Sequence, residues 1–255
     1  MIARTAIITG GLTGIGLASA KALQSAGHKI AVGSRSGNKT ETVERVKLEL
    51  GDEAWVGCLD VADQTSVTNF ITEVSREFGP PSILVNSHGI FRETEITNHR
   101  DKDWFDQIDI NLNGVFRMIR SVYPGMVEQN FGRIVNISST AGHVGAAKYG
   151  AYCASKAGVI GLSKAVAVEG APHNITCVSI SPTWIDTPMM DRAIDRHAKA
   201  KDQTREEARL NLEASNPQGR VVSPEEVGKL VAFCCSEEVP ALTNEDIQIN
   251  AGAMW

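Results

Sequence analysis

Short runs rich in β-branched residues alternate with longer stretches of helical period along the chain. The runs fall at residues 6–9, 29–34, 83–86, 133–138 and 176–180, and several are apolar at both odd and even positions. A strand with one solvent-exposed face alternates polar and apolar residues, whereas a strand buried on both faces has a continuous apolar run. The pattern therefore predicts an α/β fold in which helices cover both faces of a doubly wound parallel sheet.

Two helix starts carry the signature of a capping box, in which a hydroxyl residue precedes a glutamate by three positions. Ser223 and Glu226 flank Pro224, a residue favoured in the first helical turn. Thr204 and Glu207 repeat the spacing. We expect one helix to begin at each of these positions.

One stretch departs from the strict alternation of strand and helix. Residues 186–219 begin with an apolar stripe between Met190 and Ala198 and continue into charged residues and a second short helix. An insertion after the carboxyl end of a strand lies where α/β proteins bind ligands. Because the chain has no repeat or linker, we expect one domain over residues 1–255, with residues 186–219 forming a helical lid.

Composition and charge exclude some classes of binding partner. The chain carries 25 Lys and Arg against 30 Asp and Glu, a net charge of −5, so it lacks the basic field that attracts nucleic acid. No apolar run approaches the roughly 18 residues of a membrane helix, and the apolar start ends at Gly10, too early for a signal peptide. These features predict a cytoplasmic protein that binds small molecules, with no nucleic acid and no membrane partner.

The cysteines and histidines indicate no metal site. The five cysteines match neither a zinc site nor a CxxC pair, and the six histidines include no HExxH arrangement. We interpret the cysteines as free thiols in a reducing compartment and the histidines as structural residues.

A glycine-rich turn follows the first predicted strand and leads into residues 17–26, which have helical composition. Its glycines let the backbone approach a pyrophosphate at the helix N-terminus, although such a turn is also compatible with a simple tight connection. Its position between a strand and a helix favours the nucleotide site. The residues expected to bind the cofactor here are Gly10, Leu12, Thr13, Gly14, Ile15 and Gly16.

The end of the second predicted strand bears on the choice of cofactor. An acidic residue there would bind the ribose diol of NAD, but the chain offers Ser34 and Arg35, a hydroxyl and a guanidinium suited to a 2′-phosphate. The alternative is that Arg35 is a solvated loop residue. The missing acid favours NADP(H) over NAD(H).

A tyrosine and a lysine stand four residues apart in a segment of helical composition. Tyr152 and Lys156 therefore share a helix face, where the ammonium would lower the pKa of the tyrosine and make it a general acid or base. Ser139 follows the predicted strand over residues 133–138 and would donate to a substrate oxygen. Taken alone, Tyr152 and Lys156 could also be an exposed pair on the protein surface without a function, and Ser139 could be an ordinary turn residue.

Together these features resemble the short-chain dehydrogenase/reductase family, and the likeness covers essentially the whole chain. The resemblance implies a Rossmann-type fold in one domain. In chain order the matching positions are residues 9–16, Asp60, Val61, residues 86–89, Asn111, Ser139, Tyr152, Lys156 and residues 182–187.

The resemblance also implies a role for each matching residue. Tyr152 would exchange a proton with the substrate oxygen, Ser139 would hydrogen-bond that oxygen, and Asn111 would anchor a water in a proton relay. Lys156 would hold the nicotinamide ribose and lower the tyrosine pKa. The other implied cofactor contacts are Asp60 and Val61 at the adenine, Ile185 and Thr187 at the carboxamide, and Asn86, Gly89 and Pro182.

Two positions depart from the usual motifs of the family. His88 replaces a small residue near the cofactor, and a packed, hydrogen-bonded histidine is preferred over a contact with cofactor or substrate. Thr183 replaces the glycine that usually follows Pro182, which affects the backbone of the loop and the width of the pocket. Neither change removes a proton-transfer group.

The substrate pocket is expected to include residues 90–93, His143, Tyr149 and Trp184, which are mostly apolar or small and suit a hydrophobic ketone or alcohol. His143 could recognise a carbonyl or carboxylate group, but a solvent-facing loop histidine is the preferred interpretation. The likeness to 3-oxoacyl reductases, polyketide ketoreductases and hydroxybutyrate dehydrogenases implies an NADP(H)-dependent oxidoreductase that interconverts a ketone and a secondary alcohol. A 3-oxoacyl thioester is the leading substrate.

Other functions rank below this one. The runner-up substrate is a small hydroxy acid or a secondary alcohol. A cofactor-sensing regulator without turnover and a structural interaction protein are weaker alternatives, because Tyr152, Lys156 and the glycine loop are all present. A homotetramer is implied by the resemblance alone.

Overall fold

The sheet of this protein is seen in a computed structural model that describes residues 2–253. Within that range seven parallel strands follow the order β3-β2-β1-β4-β5-β6-β7. The order reverses between β1 and β4, so a crevice opens at their carboxyl ends. The strands are β1 Thr5–Thr9, β2 Lys29–Ser34, β3 Trp55–Cys58, β4 Ile83–Asn86, β5 Gly132–Ile137, β6 Ile175–Pro182 and β7 Asp246–Ile249.

Helices cover both faces of the sheet, which confirms the predicted α/β fold. Ile8 of β1 lies in a core cluster with residues of α1, α2 and α9, whereas its neighbour Ile7 lies in a second cluster with residues of α3, α5 and α6. Successive side chains of a strand point to opposite faces, so the two clusters lie on opposite sides. The helices are α1 Gly14–Ser25, α2 Thr40–Leu50, α3 Gln64–Phe78, α4 Asp101–Ile108, α5 Gly114–Gln129, α6 Gly150–Gly170, α7 Pro188–Lys201, α8 Arg205–Ala214 and α9 Pro224–Cys234.

The five apolar runs correspond to β1, β2, β4, β5 and β6. The remaining strands, β3 and β7, are the two edges of the sheet and pair on one side only. Cys58 of β3 is exposed, and no residue of β7 is fully buried. An edge strand needs less apolar surface, which is why the hydrophobic pattern did not reveal these two.

Both predicted capping boxes form, at Thr204 before α8 and at Ser223 before α9. Helices α7 and α8 make up most of residues 186–219, called the insertion below. They pack on each other through an apolar cluster of their own, formed by Met190, Ile194, Ala198, Ala208 and Leu212. Within residues 2–253, no helix is both long and apolar enough to cross a membrane.

Candidate active site

The glycine loop between β1 and α1 forms one wall of the crevice. Gly10 and Gly14 have positive φ angles of 64° and 52°, which other residues adopt only with strain. A Cβ atom on Gly16 would lie 2.3 Å from the Gly10 carbonyl oxygen, so glycine is required for α1 to start this close to the strand. A Cβ atom on Gly14 would lie 2.9 Å from Thr187 Cγ2, so the loop also meets the start of the insertion.

A groove of about 440 Å³ runs from the glycine loop past the ends of β2 and β4. Its charged lining residues within the described chain are Arg35, Asp60 and Arg192, so the end of β2 offers a cation and no carboxylate. The groove brings together many of the predicted cofactor residues: Gly10, Thr13, Gly14, Ile15, Ser34, Arg35, Asp60, Val61, Gly89 and Thr187.

A smaller cavity of about 140 Å³ adjoins the groove. Residues that line both, among them Ile15, Gly89 and Thr187, join the two spaces. Much of the remaining lining is apolar. The cavity brings together further predicted residues: Ser139, Tyr149, Tyr152, Lys156, Pro182, Trp184 and Ile185.

Tyr152 and Lys156 lie one turn apart on α6. Lys156 Nζ donates to the Ile137 carbonyl oxygen at 2.8 Å and lies 5.7 Å from the centroid of the Tyr152 ring. Burial lowers the pKa of Lys156 to about 8 and raises the pKa of Tyr152 to about 12. The expected lowering of the tyrosine pKa by the lysine is therefore not found, and Tyr152 is protonated at neutral pH.

Ser139 lies just beyond β5 and caps the short 3-10 turn Thr140–Gly142. Its Oγ accepts the backbone N–H of Ala141 at 3.1 Å. A hydrogen bond between Ser139 and Tyr152 lowers the pKa of the tyrosine, against the larger effect of burial. The two hydroxyl groups are therefore neighbours at the wall of the cavity.

A π turn over Asp109–Asn113 joins α4 to α5 and carries Asn111. Its Nδ2 donates to the Ile90 carbonyl oxygen at 2.9 Å and to Ser155 Oγ at 3.2 Å, while its Oδ1 accepts the N–H of Ile90 at 2.8 Å. A Cβ atom on Gly89 would lie 3.4 Å from Asn111 Oδ1 and 3.7 Å from Lys156 Nζ. Asn111 is thus fixed behind the groove lining and close to the lysine.

His88 is packed and hydrogen-bonded at both ring nitrogens. Its Nε2 lies 3.1 Å from the Ile110 carbonyl oxygen, which only accepts, so Nε2 carries the proton and Nδ1 accepts from the Thr9 hydroxyl at 2.6 Å. Burial, followed by the charge of Lys156, lowers the pKa of His88 to about 3. The ring is therefore neutral, and its exposed surface lines both the groove and the cavity.

Some predicted residues lie outside both linings. Leu12 is part of the core beneath the glycine loop. Asn86 Nδ2 donates to Asn136 Oδ1 at 2.8 Å within the sheet. His143 Nε2 lies 2.7 Å from Asp246 Oδ2 on the edge strand β7, so this ring is directed to the sheet edge rather than to the cavity. The residues placed away from both spaces are Leu12, Gly16, Asn86, Asn111 and His143.

The linings also contain residues that were not among the predicted site residues. Met189 lines both spaces, and Arg192 lines the groove from the insertion. Their i, i+3 spacing on α7 was the available signal. Phe91, within the expected range 90–93, packs edge-on against Tyr149 and Tyr152, with centroids 4.6 and 4.9 Å away.

The chain is similar to known proteins over nearly its whole length. A family profile described as Enoyl-(Acyl carrier protein) reductase matches residues 10–254. The chain is 33% identical to the 3-oxoacyl-[acyl-carrier-protein] reductase FabG of Escherichia coli, covering 98% of this chain and 96% of that protein. It is 37% identical to the acetoacetyl-CoA reductase of Rhizobium meliloti, covering 98% of each.

The chain belongs to the short-chain dehydrogenase/reductase family. The solved structure of a point variant of actinorhodin polyketide ketoreductase with NADPH matches with a TM-score of 0.93 and 33% identity, covering 98% of this chain and 97% of that one. The predicted family is confirmed, and the protein is an oxidoreductase of that family.

Proposed function

We propose that this short-chain dehydrogenase/reductase uses NADP(H) to interconvert a ketone and a secondary alcohol, with 3-oxoacyl thioesters as leading substrates. One observation carries the proposal: Ser139, Tyr152 and Lys156 all line the cavity that adjoins the groove. The names of the two curated relatives specify 3-oxoacyl and acetoacetyl thioesters, which supports the substrate class.

The groove fits a dinucleotide. The bare backbone at Gly10 and Gly14 and the N-terminus of α1 suit a diphosphate, and Ser34 and Arg35 suit a 2′-phosphate. Lys156 and Thr187 would hold the nicotinamide end. When bound, NADP(H) supplies or accepts the hydride.

The protein's own part is to hold and move a proton. In the direction of reduction, the Tyr152 hydroxyl donates its proton to the carbonyl oxygen, which Ser139 holds through a second hydrogen bond. The buried ammonium of Lys156 then stabilises the phenolate that Tyr152 leaves behind. Asn111, fixed close to Lys156, anchors the water that returns a proton.

The cavity suits an uncharged carbonyl compound. Among the described lining residues, Lys156 is the single cation, and it is assigned above to the nicotinamide end of the cofactor. A substrate carboxylate would therefore lack a cation of its own in this lining, which argues against a small hydroxy acid. The rings of Phe91, Tyr149 and Trp184 favour an apolar acyl chain or, as a second candidate, a free cyclic or aryl ketone.

We also propose that the enzyme works in the cytoplasm as a homotetramer, with residues 1–255 as one domain and the insertion as its lid. Phe105 of α4, Phe116 of α5 and Val168 of α6 are 64%, 45% and 66% exposed in the isolated chain, which supports association through these helices. The free thiols within the described residues are compatible with a reducing compartment.

A paired initial-rate assay tests the function. NADPH is compared with NADH over 3-oxoacyl thioesters, small keto acids and free cyclic and aryl ketones. We expect turnover of thioesters with NADPH. Turnover confined to free ketones would favour the second candidate substrate. Absence of turnover in either direction, with nucleotide binding intact, would contradict the proposed catalytic function.

Arg35→Ala tests the cofactor preference. Removing the guanidinium should weaken NADPH binding by about tenfold and leave NADH binding unchanged, because the 2′-phosphate distinguishes the two. Fluorescence titration of both nucleotides measures this. An unchanged NADPH affinity would overturn the assignment of Arg35.

A further inference from the structure

Arg192 takes no part in the proposed proton chemistry, yet it lines the cofactor groove from the insertion. The first two turns of α7 divide between the two spaces. Pro188 and Arg192 line the groove, whereas Met190 and Ala193 line the cavity. The side of α7 that faces the groove therefore carries the positive charge of Arg192.

The charge of Arg192 is not neutralised by a carboxylate. Arg196, Arg205 and Arg209 of the insertion all form ion pairs with aspartate or glutamate. Arg192 is exposed and forms no ion pair with any carboxylate of residues 2–253. It is therefore a cation that faces the groove without a counter-ion from the part of the chain described here.

The position of Arg192 along the groove indicates which phosphate group of a dinucleotide it would contact. Its helix starts against the glycine loop, since the Cβ position of Gly14 lies 2.9 Å from Thr187 Cγ2. The N-termini of α1 and α7 therefore meet at this point, where both helix dipoles favour negative charge. Arg35, the other cation of the groove, follows β2 instead.

We infer that Arg192 binds the diphosphate of the dinucleotide and so ties the insertion to the cofactor. This assignment rests on the proposed function and deepens it, because it makes cofactor binding and the position of α7 interdependent. The 2′-phosphate belongs to the Arg35 end of the groove. Arg192 thus recognises the part that NADPH and NADH share.

Nucleotide binding to purified Arg192→Ala tests the inference without turnover. We expect the dissociation constants of NADPH and NADH, from fluorescence titration, to rise by a similar factor of about ten. The affinity for 2′-AMP, which has no diphosphate, should be unchanged. Lys199→Ala removes an exposed cation of the same helix that does not line the groove, and should bind all three like the wild type.

Arg192→Lys keeps the charge and should recover part of the lost affinity, and thermal unfolding of each variant verifies that it is folded. If Arg192→Ala lost affinity for NADPH and kept its affinity for NADH, Arg192 would be assigned to the 2′-phosphate and the inference would be overturned. An unchanged affinity for NADH would by itself be enough to reject the diphosphate assignment. Failure of the wild type to bind NADPH or NADH would instead contradict the proposed function.

Discussion

His88 illustrates how a single residue acquires a role that its type does not reveal. Its ring accepts from Thr9 at the end of β1 and donates to Ile110 in the π turn that carries Asn111. The imidazole therefore ties the π turn, and with it Asn111, to the end of β1. Sequence reasoning favoured a packed histidine here but had no means of naming the partners, which are 79 and 22 residues away.

Lys156 leads to a prediction about pH. With a pKa of about 8, its ammonium is lost as pH rises through that value, while Tyr152, with a pKa of about 12, keeps its proton. We expect kcat/KM for NADPH to be flat below about pH 7 and to fall above about pH 8, since this parameter reports the free enzyme. Initial rates across this range measure it, and a flat profile to about pH 10 would contradict the requirement for a charged lysine.

Among the elements, one ion pair within residues 2–253 joins the insertion to the loop after β4. Arg196 Nε of α7 donates to Glu93 Oε1 at 3.1 Å, and its guanidinium carbon lies 5.1 Å from the centroid of the Phe91 ring. Phe91 in turn packs on Tyr152. Arg196 of α7 and Tyr152 are thus in contact with the same aromatic ring, so a shift of α7 would be felt at Tyr152.

Glu93→Gln removes the charge of this pair while keeping its shape. We expect KM for the carbonyl substrate to rise severalfold with little change in kcat, because α7 closes less firmly while the proton donor is intact. Steady-state kinetics measure the effect. The control is Asp195→Asn, which removes the charge of the exposed ion pair between Asp195 of α7 and Arg205 of α8. Equal KM values in the two variants would show that the pair to Glu93 does not hold the insertion.

For the whole molecule, the buried centre of the sheet was predictable and its edges were not. Apolar runs identify β1, β2 and β4 to β6 because both faces are covered, and the capping boxes locate α8 and α9. The contributions of Arg192 and His143 depend on which side chains meet after folding. His143 was expected at the substrate, but Asp246, brought to it by the edge strand that the pattern missed, holds the ring elsewhere.

The proposed tetramer is testable at this scale. Phe116→Glu places a charge on the exposed face of α5, and burying that charge between subunits would be costly, so we expect smaller species in analytical ultracentrifugation. Leu48→Glu, on α2 and 88% exposed, should leave the tetramer intact. A monomeric wild type would contradict the proposal.

The small apolar cluster between α7 and α8 has a consequence for how this enzyme can diversify. The groups proposed for proton transfer are carried by α6, the π turn and the segment just beyond β5, whereas Met190 and Ala193 of the cavity wall belong to a segment with a core of its own. Changes in the apolar residues between α7 and α8 can be absorbed within that core, as long as Arg192 and Arg196 keep their contacts with the rest of the site. The insertion is therefore a natural unit of exchange, and grafting it between relatives offers a route to new substrate ranges on an unchanged catalytic framework.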